Sequence, residues 1–191
     1  GYFVTEACEY TNSFLSFYPK IGLILNVEED HLDFFKDIDD IRNSFHQFAL
    51  LLPKDGALII NGNIPCIESI TKQIACPIIT FGNSSCFDYS AADISYNEKG
   101  CATFTLIKKG HKSSVYTLGV PGEHNISNAL AAIALSGLLS IETSVIQKAL
   151  SEFKGTDRRF EYKGTVNGIT IIDDYAHHPT EITATLKAAV N

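Results

Sequence analysis

Three groups of residues in this chain have the composition of a reactive site. The densest is Asp173-Asp174-Tyr175-Ala176-His177-His178-Pro179-Thr180-Glu181, where two carboxylates, a phenol and two imidazoles fall within six residues. Ionisable groups this closely spaced, between a strand-like run and a helix start, point to ligand binding rather than to a core. A transition-metal reading is weak, because no cysteine partners lie nearby and adjacent histidines rarely ligate together. The second group is Glu6 and Glu9 with the run Glu28-Glu29-Asp30-His31-Leu32-Asp33. Its hard oxygen donors suit Mg²⁺, which keeps several waters and needs one or two carboxylates; a solvated acidic rim is the alternative. The third is Gly155-Thr156-Asp157-Arg158-Arg159-Phe160. Paired guanidinium groups there could grip a phosphate or carboxylate, or form a charged linker.

A fourth stretch concentrates polarity at one end. Pro121–Ser140 opens with Gly122, Glu123, His124, Asn125, Ser127 and Asn128 and then turns almost wholly apolar. The apolar run predicts a buried helix over Asn125–Leu139. The polar start would place Asn125 and Asn128 on one face, three residues apart. An amide offers the donor and acceptor that a purine edge needs, and an imidazole offers a stacking surface. Plain capping of the helix by Asn125 or Ser127 accounts for the same residues.

The elements that must position these groups read as α/β. Strands are predicted at Tyr2–Glu6, Lys20–Val27, Ala57–Asn61 and Pro77–Gly82, with helices at Asp37–Leu52 and Asn63–Ala75 between them. That alternation predicts a layered, mostly parallel sheet, and Glu28–Asp33 follows a strand's C-terminal end, where open α/β sheets place ligands. Asp37 is the expected N-cap of its helix. Ala92–Tyr96, Ala102–Lys108 and Ser114–Val120 alternate instead and predict antiparallel hairpins. A helix at Thr143–Phe153, a hairpin of Phe160–Gly164 with Gly168–Asp173, and a helix over Pro179–Val190 complete the chain. Residues 154–159 form a polar, Gly-containing break that predicts a domain boundary, with domains at 1–156 and 157–191.

Composition narrows the function class. A net charge of −7 over 191 residues argues against general nucleic-acid or anionic-membrane binding. Five cysteines, widely spread and without a CxxC, fit reduced thiols in the cytosol better than disulfides or zinc. No apolar run has spanning length and no signal peptide is apparent. There is no GxxxxGK[ST] loop to cradle a nucleotide phosphate; Gly110-His111-Lys112-Ser113 falls in an expected hairpin turn.

Taken in order, five stretches resemble the Mur ligases: Glu6-Ala7-Cys8-Glu9-Tyr10 with Ser13-Phe14-Leu15, Leu25–Asp33, Gly122–Ala132, Arg158-Arg159-Phe160-Glu161, and Asp173–Glu181. The Tyr-x-His-His-Pro-Thr-Glu form of the last resembles the alanine-adding member. The resemblance implies a P-loop-NTPase-like central domain, then the start of a Rossmann-like C-terminal domain. It implies Glu6 and His31 as ligands of a catalytic Mg²⁺. It places His124, Asn125 and Asn128 on the adenine of ATP, Arg159 on phosphate and Asp174 on ribose. Tyr175, His177 and His178 would face the substrates, and His31 and Arg159 would serve catalysis. The implied reaction joins L-alanine to UDP-N-acetylmuramate through an acyl phosphate. A tripeptide-adding recycling ligase, or a nucleotide-binding module without catalysis, are the other readings. The family's first domain, its P-loop and most of its last domain have no counterpart here. The 191 residues are therefore expected to be an internal piece of a longer protein, inactive alone in a phosphate-release assay.

Overall fold

Ala57, Leu58, Ile59 and Ile60 are at most 1% exposed, which marks their strand as covered on both faces. Parallel sheets bury both faces in this way, and such strands read as continuous apolar runs. The computed structural model describes residues 1–190, with side chains through Ala189. The chain folds as two compact units, Gly1–Phe81 and Gly82–Asn191.

In the first unit, β1 (Ile21–Ile24) pairs in parallel with β2 (Ala57–Asn61), and β2 pairs in parallel with β3 (Ile78–Gly82). Helix α1 (Ile38–Leu50) crosses between β1 and β2. Its N-cap is Asp37, whose carboxylate accepts from the amides of Asp39 and Asp40, as the sequence predicts. Ile41, Phe48 and Ala49 turn inward and join Ile24, Leu58, Ile60 and Ile70 in one core. Ahead of β1, a pair of 3-10 turns spans Tyr10–Ser16, broken by left-handed Thr11 and Asn12. It lodges Phe14 in the core, stacked on Phe48 at 4.9 Å between centroids and edge-on to Phe45 at 5.3 Å.

Two expectations for this unit change. Tyr2–Glu6 forms no strand: it has no ladder partner among the described residues, and Tyr2, Phe3 and Val4 are well exposed. A β-branched run needs a neighbouring strand before its propensity counts. The helix expected over Asn63–Ala75 shrinks to α2 (Ile67–Thr71), because Cys66 and Gln73 both adopt positive φ and bracket it.

The second unit contains the antiparallel meander β4 (Tyr89–Tyr96), β5 (Cys101–Lys108) and β6 (His111–Pro121). Lys109 and Gly110, both at positive φ, make the tight turn between β5 and β6. Helix α3 (His124–Leu138) buries Ile126, Ala129, Leu130, Ala131, Ile133 and Ala134. Helix α4 (Thr143–Glu152) packs on β6, where Gly119 is obligatory: a Cβ there would stand 2.3 Å from the carbonyl oxygen of Phe153. The hairpin of β7 (Glu161–Val166) and β8 (Ile169–Asp173) turns on Asn167 and Gly168, again both at positive φ. Helix α5 (Pro179–Val190) follows, within the expected bounds. The α/β class stands, with the parallel strands in one unit and the hairpins in the other.

Replacing Asp37 by Ala should lower the stability of the chain by about 1 kcal/mol in urea denaturation, the usual cost of losing an N-cap, while Asp37→Asn recovers most of it.

Candidate functional site

The loop after β1 is built by its own side chains. Asn26 accepts from the Val27 amide at 2.9 Å and donates to Glu28 at 2.7 Å. Asp30 accepts from the His31 amide at 2.7 Å. His31 is left-handed, with φ 53°, and its carbonyl accepts from Phe34 and Phe35 at 2.8 and 2.9 Å. Phe35 is 3% exposed and anchors that turn in the core. The strained conformation is thus held from both sides.

This turn brings His31 to the segment that precedes Phe14. The His31 Nε2 lies 3.7 Å from a Glu9 oxygen and 3.9 Å from an Asp30 oxygen. One ligand atom from each of the three lies within 4.8 Å of the others. These separations are too long for direct hydrogen bonds. Two ligands on an octahedral cation with bonds near 2.1 Å stand roughly 3 to 4.2 Å apart, a range that holds both distances from the His31 nitrogen. Two carboxylates match Mg²⁺, and the imidazole would also accept Mn²⁺. Glu6, which the resemblance names as a ligand with His31, is exposed and lies outside this trio, three residues before Glu9.

In the second unit the polar start of α3 is ordered without a side-chain cap at Glu123. Asn125 donates to the Pro121 carbonyl at 2.7 Å and accepts from Asn128 at 3.1 Å. The two amides are therefore linked on one face, as their spacing predicts. The His124 ring folds back over Gly122, where a Cβ would sit 2.6 Å from its Cε1. Gly122, at φ 99°, satisfies both the turn and this close approach. Neighbouring atoms crowd the ring enough to lower its pKa, although solvent reaches the residue and Asp174 pulls the other way.

Asp174 is committed to the backbone, taking the Phe160 amide on one oxygen and the Ala176 amide on the other, each at 2.7 Å. It fastens the Gly155–Phe160 loop, which is left-handed at Gly155, Arg158 and Phe160, to the loop after β8. Arg158 lies over the Tyr175 ring at 4.7 Å and near Asp173 at 3.8 Å. Arg159 points instead to Glu181 at 3.4 Å. The Glu181 carboxylate also accepts the His177 amide at 3.3 Å. His178 accepts from the Thr180 amide at 3.4 Å, which makes it a cap for α5. Asn125, Asn128 and His124 thus gather at the head of α3. Arg159, Asp174, Tyr175, His177 and His178 gather between β8 and α5. Sequence reasoning gave Tyr10 no role and counted Asp33 only among the hard oxygen donors; the two are hydrogen-bonded to each other at 2.8 Å beside His31. A contact across 23 residues leaves no local pattern to find.

The lowered His124 pKa has a signed consequence. Above about pH 6.5 both folded and unfolded chains carry a neutral ring there; below it the unfolded chain takes up the proton first, and stability falls with pH. His124→Gln should therefore lose less stability than the parent between pH 7.5 and 5.5 in parallel urea titrations.

The model of the Mur ligase middle domain matches residues 1–136, and that of the Mur ligase glutamate ligase domain matches residues 158–191. UDP-N-acetylmuramate–L-alanine ligase of Lachnospira eligens is 58% identical over 192 residues, covering 100% of this chain. The chain spans 42% of that relative's length. Among solved structures, MurF of Acinetobacter baumannii superposes with a TM-score of 0.80 at 25% identity, over 93% of this chain and 39% of its own. UDP-N-acetylmuramate-alanine ligase of Thermotoga maritima gives 0.77 at 29% identity, over 93% and 40%. A middle-domain match across more than half of the chain, with the second domain following in order, means that this chain belongs to the Mur ligase family.

Proposed function

We propose that the full-length protein is an ATP-dependent ligase of the cytosol that joins L-alanine to UDP-N-acetylmuramate. Residues 1–156 would be most of its central domain and residues 157–191 the start of its C-terminal domain. The observation that carries the reading is the identity, along the whole chain, with a relative of that name. The five cysteines, all free, suit a reducing compartment.

A carboxylate is a poor electrophile, so the chemistry begins by giving it a leaving group. A muramoyl carboxylate oxygen attacks the γ-phosphorus of ATP, forming an acyl phosphate and releasing ADP. The alanine nitrogen then attacks the carbonyl carbon; the tetrahedral intermediate expels inorganic phosphate, and the amine gives up its proton. Bound Mg²⁺ would neutralise charge on the transferred phosphoryl group. His31 with Glu9 and Asp30 would hold it, with Glu6 on the same approach segment. Asn125 and Asn128 would meet the adenine edge, with His124 against its ring. Arg159 would leave Glu181 for phosphate, a short move for a half-exposed side chain. Asp174 can reach ribose only through lone pairs its two backbone amides leave over. Tyr175, His177 and His178 line the substrate side.

A phosphate-release assay of the full-length protein should show turnover with L-alanine and none with a tripeptide; the reverse preference would make it the recycling ligase. Calorimetry with Mg-ATP should show binding that Asn128→Ala weakens; indifference to that change would remove the purine from α3. Glu9→Gln should reduce Mn²⁺ affinity more than Glu6→Gln; the opposite ranking would return the ligand role to Glu6.

A further inference from the structure

We propose that Tyr10 is a positioning residue for the metal group, clamping the His31 ring so that Nε2 faces Glu9 and Asp30. The inference rests on the metal reading above and adds a residue to it. The Tyr10 ring lies 4.5 Å from that of His31, tilted by 32°, and 6.1 Å from Phe34, edge-on. Its hydroxyl donates to Asp33 at 2.8 Å. The phenol is therefore fixed at its far end by Asp33 and braced by Phe34, while its face covers the imidazole. Phe34 in turn stands edge-on to Phe35 at 4.9 Å, and Phe35 is buried.

His31 needs such a clamp. Its backbone is left-handed, and its side chain is about one-third exposed. An exposed imidazole samples several rotamers, and only those aimed at Glu9 and Asp30 can share a cation with them. Tyr10 follows Glu9 directly, so one short segment delivers both a ligand and the surface that orients another. Groups that hydrogen-bond the far ring nitrogen of a metal-binding histidine are worth about 10 to 100-fold in metal affinity; a ring contact that only restricts rotamers belongs at the low end of that range.

The test is Mn²⁺ binding to the full chain, followed by electron paramagnetic resonance of the free ion, with circular dichroism to check folding. Tyr10→Leu keeps apolar bulk against Phe34 but removes the aromatic face, and should weaken binding about tenfold. Tyr10→Phe keeps the ring and should remain within about threefold of the parent, since only the anchoring hydrogen bond is lost. In a His31→Ala background, Tyr10→Leu should have no further effect, because the ring it orients is gone. A loss from Tyr10→Leu that is equally large in that background would mean Tyr10 acts through general packing and would overturn the proposal. Binding that requires His31 but ignores Tyr10→Leu would overturn this inference and leave the metal reading standing. Binding indifferent to His31→Ala would overturn both.

Discussion

The docking of Phe14 is the contact on which the first cluster depends. Its ring lies nearly parallel to Phe48, at 6°, and meets Phe45 edge-on, so it is held by two successive turns of α1. Aromatic pairs of this kind add about 0.5–1.5 kcal/mol to their burial. The gain here is spatial as much as energetic. The segment from Cys8 to Asn12 has only short turns of its own, and Phe14 ties it to a rigid helix. Asn12 accepts a hydrogen bond from Ser44 of the same helix and completes the tie. Glu9 reaches His31 because Phe14, five residues on, has nowhere else to go.

The proposed cation would offset the negative charge gathered in this cluster. Glu9 and Asp30 converge on one imidazole while Glu28, Glu29 and Asp33 crowd the same loop. Carboxylates that approach one another repel, and a fold that gathers them must hold them by other means. Here the means are local: Asn26 and Asp30 fix the loop through backbone amides, and buried Phe35 pins its end. A loop stabilised by such bonds can present several acidic groups without collapsing onto them. That preorganisation is what a hydrated divalent cation requires, since it dehydrates reluctantly and binds few protein ligands.

In the second unit one carboxylate does structural work that its sequence position conceals. Asp174 takes two backbone amides, one from each of two loops, and so holds the arginine pair and the Tyr-Ala-His-His loop in one place. Glu181, in the first turn of α5, joins the Arg159 guanidinium to the His177 amide. The proposed binding residues are thus ordered through acids that lie among them, which couples the shape of the cluster to its charge. Arg159, resting on Glu181, has an ionic partner to exchange for a stronger anion.

What the sequence determined alone was periodic or locally capped. The apolar run of β2, the spacing of α1 with Asp37 at its head, the Asn167-Gly168 turn and the Ala-rich α3 all carry their signal within a few residues, because backbone hydrogen bonds and apolar stripes repeat at short range. The motif residues from Glu6 to Glu181 were legible as kinds of chemistry for the same reason. Their partners were not. Glu9 beside His31 and Tyr10 on its ring are contacts between distant segments, decided by how Phe14 and Phe35 pack; Asp174, in the other unit, is split between two loops, which its own place in the sequence does not show. Tyr2–Glu6 shows the converse: strand propensity without a neighbouring strand makes no strand. Tertiary structure made these choices because burying a large ring fixes a chain segment far more strongly than any polar contact the segment then makes.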